Sequence, residues 1–221
     1  MLKSKKHVFW EALVMTCVIF IFGLLVGLWV EESRFNSVED YYARSEISVA
    51  DMIVLQELSK IKEYDCDALI KANINFANKI YQEAVLLEEY ESASRITGNL
   101  ILSHTKYDLL RAFVWSNTLD IFNKCEKKFV PVVYLYEYNT DDLEQKAKQR
   151  VWSNILYDVK QKYADKIILL PIAVNMNLTS VDVLIEYFDI QSYPSVVIGD
   201  KTILYDLETV EKVEKYIEEE M

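Results

Sequence analysis

The stretch Val130-Pro131-Val132-Val133-Tyr134-Leu135-Tyr136 decides the fold of this chain. It is a β-branched and aromatic run without a charge, with the length of a strand buried on both faces. The residues after it are patterned differently. Asn139 and Thr140 offer N-cap oxygens, Asp141 and Asp142 put negative charge on a first turn, and Trp152, Ile155, Leu156 and Val159 mark the apolar stripe of a helix reaching about Tyr163. Ile167 to Val174 is a second apolar run. Strand, helix, strand in that order implies a right-handed parallel crossover, and Pro171, which has no N–H for a ladder, puts the second strand at a sheet edge. A short helix from about Ser180 to Phe188 precedes Ser192-Tyr193-Pro194-Ser195-Val196-Val197-Ile198, a third strand that turns at Gly199-Asp200 and pairs with Thr202-Ile203-Leu204-Tyr205 as a hairpin. A closing helix runs from about Leu207 to the end. The expectation for residues 129–221 is an α/β domain with a mixed four-stranded sheet and flanking helices.

This order of elements, with Pro194 directly ahead of the third strand, resembles the thioredoxin fold. The resemblance implies a cis-proline at residue 194, lying beside the place where the family carries its active-site dithiol. In the family a Cys-x-x-Cys sits where the first strand hands over to its helix, whose N-terminus stabilises a thiolate. Here the window reads Tyr138-Asn139-Thr140-Asp141-Asp142-Leu143, with Thr140, Asp141, Asp142 and Leu143 at the dithiol position and no cysteine. Two aspartates there would raise the pKa of any nearby thiol, so no catalytic residue is assigned to this corner. Thioredoxin-like domains also hold extended polypeptide by main-chain bonds next to that proline. Tyr138, Tyr193 and Pro194 are therefore candidates for a peptide groove, together with an exposed strand edge. A structural role for Pro194, fixing the chain's approach to the strand, needs no ligand.

The chain has 221 residues, 52% of them hydrophobic and 13% aromatic, with four Gly and three Pro, which argues for order and against long linkers. Its amino-terminal part is different in kind. Ala12 to Val30 carries no charge and is long enough to cross a bilayer of about 30 Å as a helix, extended by Val8 to Trp10 past Glu11. A cleaved signal peptide would have a shorter apolar region ending at small residues, whereas Leu28-Trp29-Val30-Glu31-Glu32 follows here, so residues 8–30 read as a membrane-lipid-embedded signal anchor. Lys3, Lys5 and Lys6 before the span, against Glu31 and Glu32 after it, predict a cytoplasmic tail over residues 1–7, with the rest of this single-pass cell-membrane protein outside. The exported part then holds 21 basic and 34 acidic residues, a formal charge of −13, which repels phosphate backbones and argues against nucleic acid as a partner. Gly23 and Gly27 form a small-x-x-x-small pair that would permit a helix homodimer, and Cys17 among apolar neighbours is read as inert.

Residues 31–128 read as helical. One pattern runs from about Ser37 to Glu63 with Ile47, Val54, Leu55, Leu58 and Ile61 at helical spacing. A second, capped by Asp65 and Asp67, runs to about Tyr90 through Leu69, Phe76, Ile80, Ala84 and Leu87. A break is expected around Ser92 to Ser103, including Gly98, with the apolar run Leu100 to Leu102 open to either a break or partial helix. Thr105-Lys106-Tyr107-Asp108 then resembles a capping box for a third helix with Tyr107, Leu110, Val114, Ile121 and Cys125 on one stripe. If the last two helices form an antiparallel hairpin, Cys66 and Cys125 share one end. An exported compartment permits a disulfide there, worth about 4 kcal/mol for such a loop in the chain-entropy model, while two separate buried thiols are the alternative. The arrangement is similar to small membrane-anchored archaeal proteins: an anchor, a helical hairpin with Cys66-Asp67-Ala68-Leu69 at its base, Cys125-Glu126-Lys127-Lys128 ahead of the first strand, then a thioredoxin-like domain. Many such proteins carry the Cys-x-x-Cys that is replaced here, which puts the redox role in question.

No cofactor or metal site is expected. His7 and His104 are far apart, and no Gly-rich phosphate loop or G-x-S-x-G motif occurs. His104 reads as a surface residue at a helix start. The clusters Glu88-Glu89-Tyr90-Glu91 and Glu218-Glu219-Glu220 read as solvated helix ends, and Asn177-Leu178-Thr179 is a glycosylation sequon that also suits a helix cap. The leading expectation is a protein-binding, chaperone-like or scaffold role toward exported proteins, and the other is a thiol-disulfide oxidoreductase cycling Cys66 and Cys125. Labelling with a thiol reagent under non-reducing denaturation separates bridge from free thiols. The bridge predicts no modifiable exported cysteine, and two would sink it.

Overall fold

The structure is a computed structural model that describes residues 5–61, 65–93, 98–125 and 128–221. Its sheet is built from β1 (Val130–Tyr136), β2 (Ile167–Ala173), β3 (Ser195–Ile198) and β4 (Thr202–Leu204), in the order β2-β1-β3-β4. β1 and β2 are parallel, Val130 opposite Ile167 through Tyr136 opposite Ala173, and β3 is antiparallel to both β1 and β4. The uncharged run chosen for β1 is buried from Val130 to Leu135, as a central strand covered on both faces must be. The tight link from β3 to β4 holds Gly199 at φ +67°, where an added Cβ would also come within 2.8 Å of the Glu220 side chain.

Helices cover the sheet in two groups. α4 (Leu143–Tyr163) packs with α6 (Val210–Glu220), burying Trp152, Leu156, Val159, Val213 and Ile217. Tyr163 donates to Glu218 at 2.8 Å and Lys162 pairs with Glu214 at 2.6 Å across their outer side. α5 (Thr179–Tyr187) packs with α3 (Gly98–Lys124), where Trp115 stacks on Phe188 at 5.0 Å. α2 (Cys66–Ala93) runs antiparallel to α3: the rungs join Cys66 to Cys125 at one end and Asn73 to Thr118 (2.8 Å) and Asn117 (3.3 Å) farther along. The stripe expected on α3 is buried, Tyr107, Leu110, Val114, Ile121 and Cys125 all being under a tenth exposed.

The hairpin is fastened to the sheet by polar groups as well as by packing. Lys160 on α4 donates to the carbonyls of Ala164 (2.8 Å) and Ile167 (3.0 Å) and to Asn78 of α2 (3.3 Å), whose amide in turn donates to Asp165 at 3.1 Å. Burial pulls the Lys160 ammonium below its ordinary pKa, with Asp165 opposing. At the far end of β2, Asp108 of α3 is fully buried. Its Oδ1 accepts from Arg111 at 3.0 Å and from the Ala173 backbone N–H at 3.2 Å, and its Oδ2 faces His104 Nδ1 at 2.8 Å. Val174 donates inward to Tyr136. Residues 169, 171 and 173 therefore point their backbone outward, and of those edge positions Pro171 has no N–H while Ala173 is satisfied by Asp108.

Several sequence expectations change. His104 is not a surface residue at a helix start but is 7% exposed in the interior of α3. The expected break before Thr105 does not reach it. Helix already runs from Gly98, and the Thr105 hydroxyl donates back to the Ile101 carbonyl at 2.9 Å instead of capping. α1 is one helix from Lys5 to Ile61, joining the apolar span to the first helical pattern, with no glycine or proline between Leu28 and Ile61. Val54, expected on a packing stripe, is 54% exposed, while its neighbour Met52 is buried. The first four residues, Glu63, and the side chains of Lys5, Lys6, His7, Glu31, Glu32, Leu55, Leu58, Ile61, Ala84, Leu87 and the Glu88–Glu91 cluster lie outside what is described.

By its contacts the chain divides into two compact units, Met1–Ile47 and Ser48–Met221. The first holds Val8–Val30, a 23-residue stretch of mean hydropathy 2.7 with no part buried in the protein, long and apolar enough to span a membrane. In the second unit Asp108 is a fully buried carboxylate with three hydrogen-bond partners. Asp108→Ala strands Arg111 and the Ala173 N–H, and its expected cost is about 3–5 kcal/mol of unfolding free energy by urea titration.

Candidate functional site

The corner between β1 and α4 is held by side-chain amides. Gln149 closes a pair of bonds with the Glu137 backbone, accepting its N–H at 2.9 Å and donating to its carbonyl at 3.1 Å. Asn175 does the same for Tyr138, at 2.8 Å in each direction. Asn139 then takes φ +52°, a conformation asparagine tolerates better than most residues, and the chain turns into the helix. The cap is Asp142, not Asn139 or Thr140: its Oδ1 accepts from the N–H groups of Glu144 (2.9 Å) and Gln145 (3.3 Å). Thr140 supports it from behind, accepting from the Asp142 N–H at 3.3 Å and donating to Gln145 Oε1 at 3.0 Å. Asp141 is exposed, and Leu143, the first helical residue, is 81% exposed.

The chemical meaning of this corner follows from the cap. The free N–H groups of a helix start can stabilise a thiolate only if nothing else occupies them. Here Asp142's own carboxylate occupies them. No sulfur lies among residues 138–143.

Across the sheet, the Tyr193–Pro194 peptide is cis, and Pro194 is buried at the head of β3. Leu135 pairs with Ser195, which brings the end of β1 alongside this turn. Tyr193 is partly exposed. Burial first, then the nearby charges of Asp182 and Glu137 and the neighbouring Tyr205, hold its phenol above the ordinary value of 10.0. Tyr138 faces elsewhere: its ring rests on His104 at 4.1 Å. The three groove candidates thus divide, with Tyr193 and Pro194 at the cis turn and Tyr138 against α3.

Both cysteines of the second unit are joined in a disulfide, with Cα atoms 5.5 Å apart and 59 residues of sequence separation. Cys125 is 2% exposed, buried beside Phe122 and Phe129 in the helical base. Lys128 and Asp67 pair at 2.6 Å nearby, but both are exposed and the bridge itself adds little. Cys17 is free and exposed on the apolar helix, and a Cβ built on Gly23 or Gly27 meets nothing within 4 Å. No group of His, Cys, Asp and Glu among the described residues could hold a metal ion.

Comparison with known proteins adds little to this geometry. No family model and no curated protein matches the chain. Among solved structures, thioredoxin O2 from Arabidopsis thaliana in its oxidised state is similar at 13% identity and TM-score 0.34, over 49% of this chain and 87% of that one. A malarial protein is similar at 18% identity and TM-score 0.32, over 42% of this chain and 98% of that one. Likenesses this distant say nothing about chemistry.

The sequence did not mark His104, Asp108 and Arg111 as one buried set, three polar side chains on one helical face, each under a tenth exposed. Their signal was the i, i+4 and i+3 spacing in an otherwise apolar stripe. The raised Tyr193 phenol gives a pH test. A folded pKa above the unfolded one favours folding fully below pH 10, and that contribution is lost as pH rises through the folded value. The difference between alkaline absorbance titrations of the wild type and Tyr193→Phe is therefore expected to show one phenol ionising above pH 10.

Proposed function

We propose that this chain is a membrane-anchored, thioredoxin-like binding protein that works without a dithiol. In this reading residues 1–7 stay in the cytoplasm, 8–30 cross the cell membrane as an uncleaved anchor, 31–128 form an extracytoplasmic helical region and 129–221 are the thioredoxin-like domain. The observation that carries it is the occupied helix start: Asp142 caps α4 where the family would hold a reactive sulfur. Strand order, the parallel crossover and the cis peptide ahead of β3 support the fold assignment. The disulfide belongs to the scaffold, since its buried Cys125 lies in the hairpin base and not at a sheet corner.

The partner is an exported polypeptide, docked beside Tyr193 and the cis turn. The β2 edge is closed by Asp108 and Pro171, which removes one of the two sites at which an extended peptide was expected to add. The turn at Pro194, with exposed Leu143 on α4 as an apolar contact, is the other. Gly23 and Gly27 offer a contact for a second copy within the membrane.

Full-length protein in lipid nanodiscs is expected not to accelerate insulin reduction by dithiothreitol. A photocrosslinker at position 193 is expected to capture the same exported proteins in the wild type and in a Cys66→Ser, Cys125→Ser variant, and protease added to intact cells is expected to remove the C-terminal domain. Insulin reduction that vanishes in that double variant would reverse the assignment to an oxidoreductase.

A further inference from the structure

The buried side chains that fasten α3 to the sheet also form one wall of a cavity of about 510 Å³, a size typical of small-molecule sites. Its other walls are β1, the outer strand β2 and the N-terminal half of α4. The lining is unusual for an acidic protein of net charge −11. Among the described residues it contains six tyrosines and three basic side chains, Arg111, Lys146 and Arg150, and no carboxylate. Lys146, Arg150, Ser153 and Tyr157 follow one another at spacings of four, three and four, so they share one stripe of α4 that faces the cavity.

Arg111 is the most enclosed of the three cations. Its side chain is 8% exposed, and of the five N–H donors of a guanidinium one goes to Asp108 Oδ1 at 3.0 Å, with no second protein acceptor among the described residues. Its spare donors line the cavity and can bond an acceptor placed there. Asp108 lies behind it and neutralises one charge, which leaves Lys146 and Arg150 in excess. Neither has a carboxylate within ion-pair distance among the described residues. His104 adds no free acceptor. The Asp108 carboxylate can only accept, so Nδ1 donates to it, and Nε2 faces the Tyr136 hydroxyl at 3.3 Å. The aromatic walls are ordered, Tyr134 and Tyr136 stacking at 5.4 Å with planes 16° apart, and Tyr134 Oη donating to the Gln149 carbonyl at 3.0 Å. Cations at the rim, a guanidinium at depth and flat aromatic sides define the complement: a planar body bearing an oxyanion.

We propose that this cavity binds a small aromatic oxyanion, a carboxylate or a phosphate ester, with its charged group on Arg111, Lys146 and Arg150 and its ring among the tyrosines. Charge-assisted bonds from guanidinium and ammonium supply orientation, and ring stacking supplies the apolar part of the affinity. The site is separate from the cis-Pro194 turn and does not depend on a polypeptide partner there.

The test is calorimetry on the full-length chain in nanodiscs of zwitterionic phosphatidylcholine, with empty discs as the blank. The probes are naphthalene-2-carboxylate, 2-naphthyl phosphate, naphthalene-2-methanol and inorganic phosphate. One of the two aromatic anions is expected to bind one per chain with a Kd below about 1 mM, at least about tenfold tighter than the neutral alcohol and than inorganic phosphate. Which of the two it is identifies the oxyanion. Arg111→Gln disturbs the buried pair with Asp108, so the deciding variant is Lys146→Gln with Arg150→Gln, two exposed positions. That variant is expected to keep its melting temperature and to lose about tenfold in affinity. The proposal is overturned by absence of binding at about 10 mM of either aromatic anion, by an alcohol or inorganic phosphate that binds as tightly, or by unchanged affinity in the double variant.

Discussion

One carboxylate governs how the two halves of the folded unit meet. Asp108 is fully buried and serves three groups at once: the Arg111 guanidinium, the His104 ring and the Ala173 N–H at the outer edge of β2. Burying a carboxylate is expensive unless its oxygens are hydrogen-bonded and a cation is near, and both conditions hold here. The arrangement is directional in a way that apolar packing is not. It sets the height of α3 along the sheet edge to within a hydrogen bond, which in turn places the Trp115 to Phe188 stack and the Asn73 rungs to α2. The disulfide closes the opposite end of the hairpin. Between these two fixed points the helical pair has little freedom to slide.

The β1–α4 corner is a helix start whose anion site is filled by the chain itself. Polarised N–H groups at a helix start attract whatever anion is nearest. When the first anion is the helix's own cap, the same groups stabilise the helix and are no longer available for an external or sulfur anion. Gln149 and Asn175 hold the preceding backbone with a pair of bonds each, to Glu137 and to Tyr138.

Much of the sheet could be read from the chain because its strands are continuous uncharged runs. β1 and β2 are found within a residue of the expected ends, and Pro171 announced the edge. Helix starts were less legible. Asn139, Thr140, Asp141 and Asp142 are four credible caps in a row, and only the φ of Asn139 and the direction of the Asp142 side chain select among them. The hairpin base was legible from two cysteines at the ends of two helical patterns. The buried trio on α3 was not, because a histidine, an aspartate and an arginine within eight residues normally describe a solvated face. Nothing local distinguishes a salt-bridged surface from a helix whose partner, the Ala173 N–H, is 65 residues away.

A four-stranded sheet has two outer strands, and each is a template on which another extended chain can crystallise its backbone. Here one of them is sealed by a helix that donates a carboxylate to it, and interrupted by a proline as well. The other, β4, is three residues long. Many copies confined to a surface face each other at high local concentration, where open edges join most readily. With β2 covered and β4 short, the sheet offers little open edge along which a neighbouring copy could extend it.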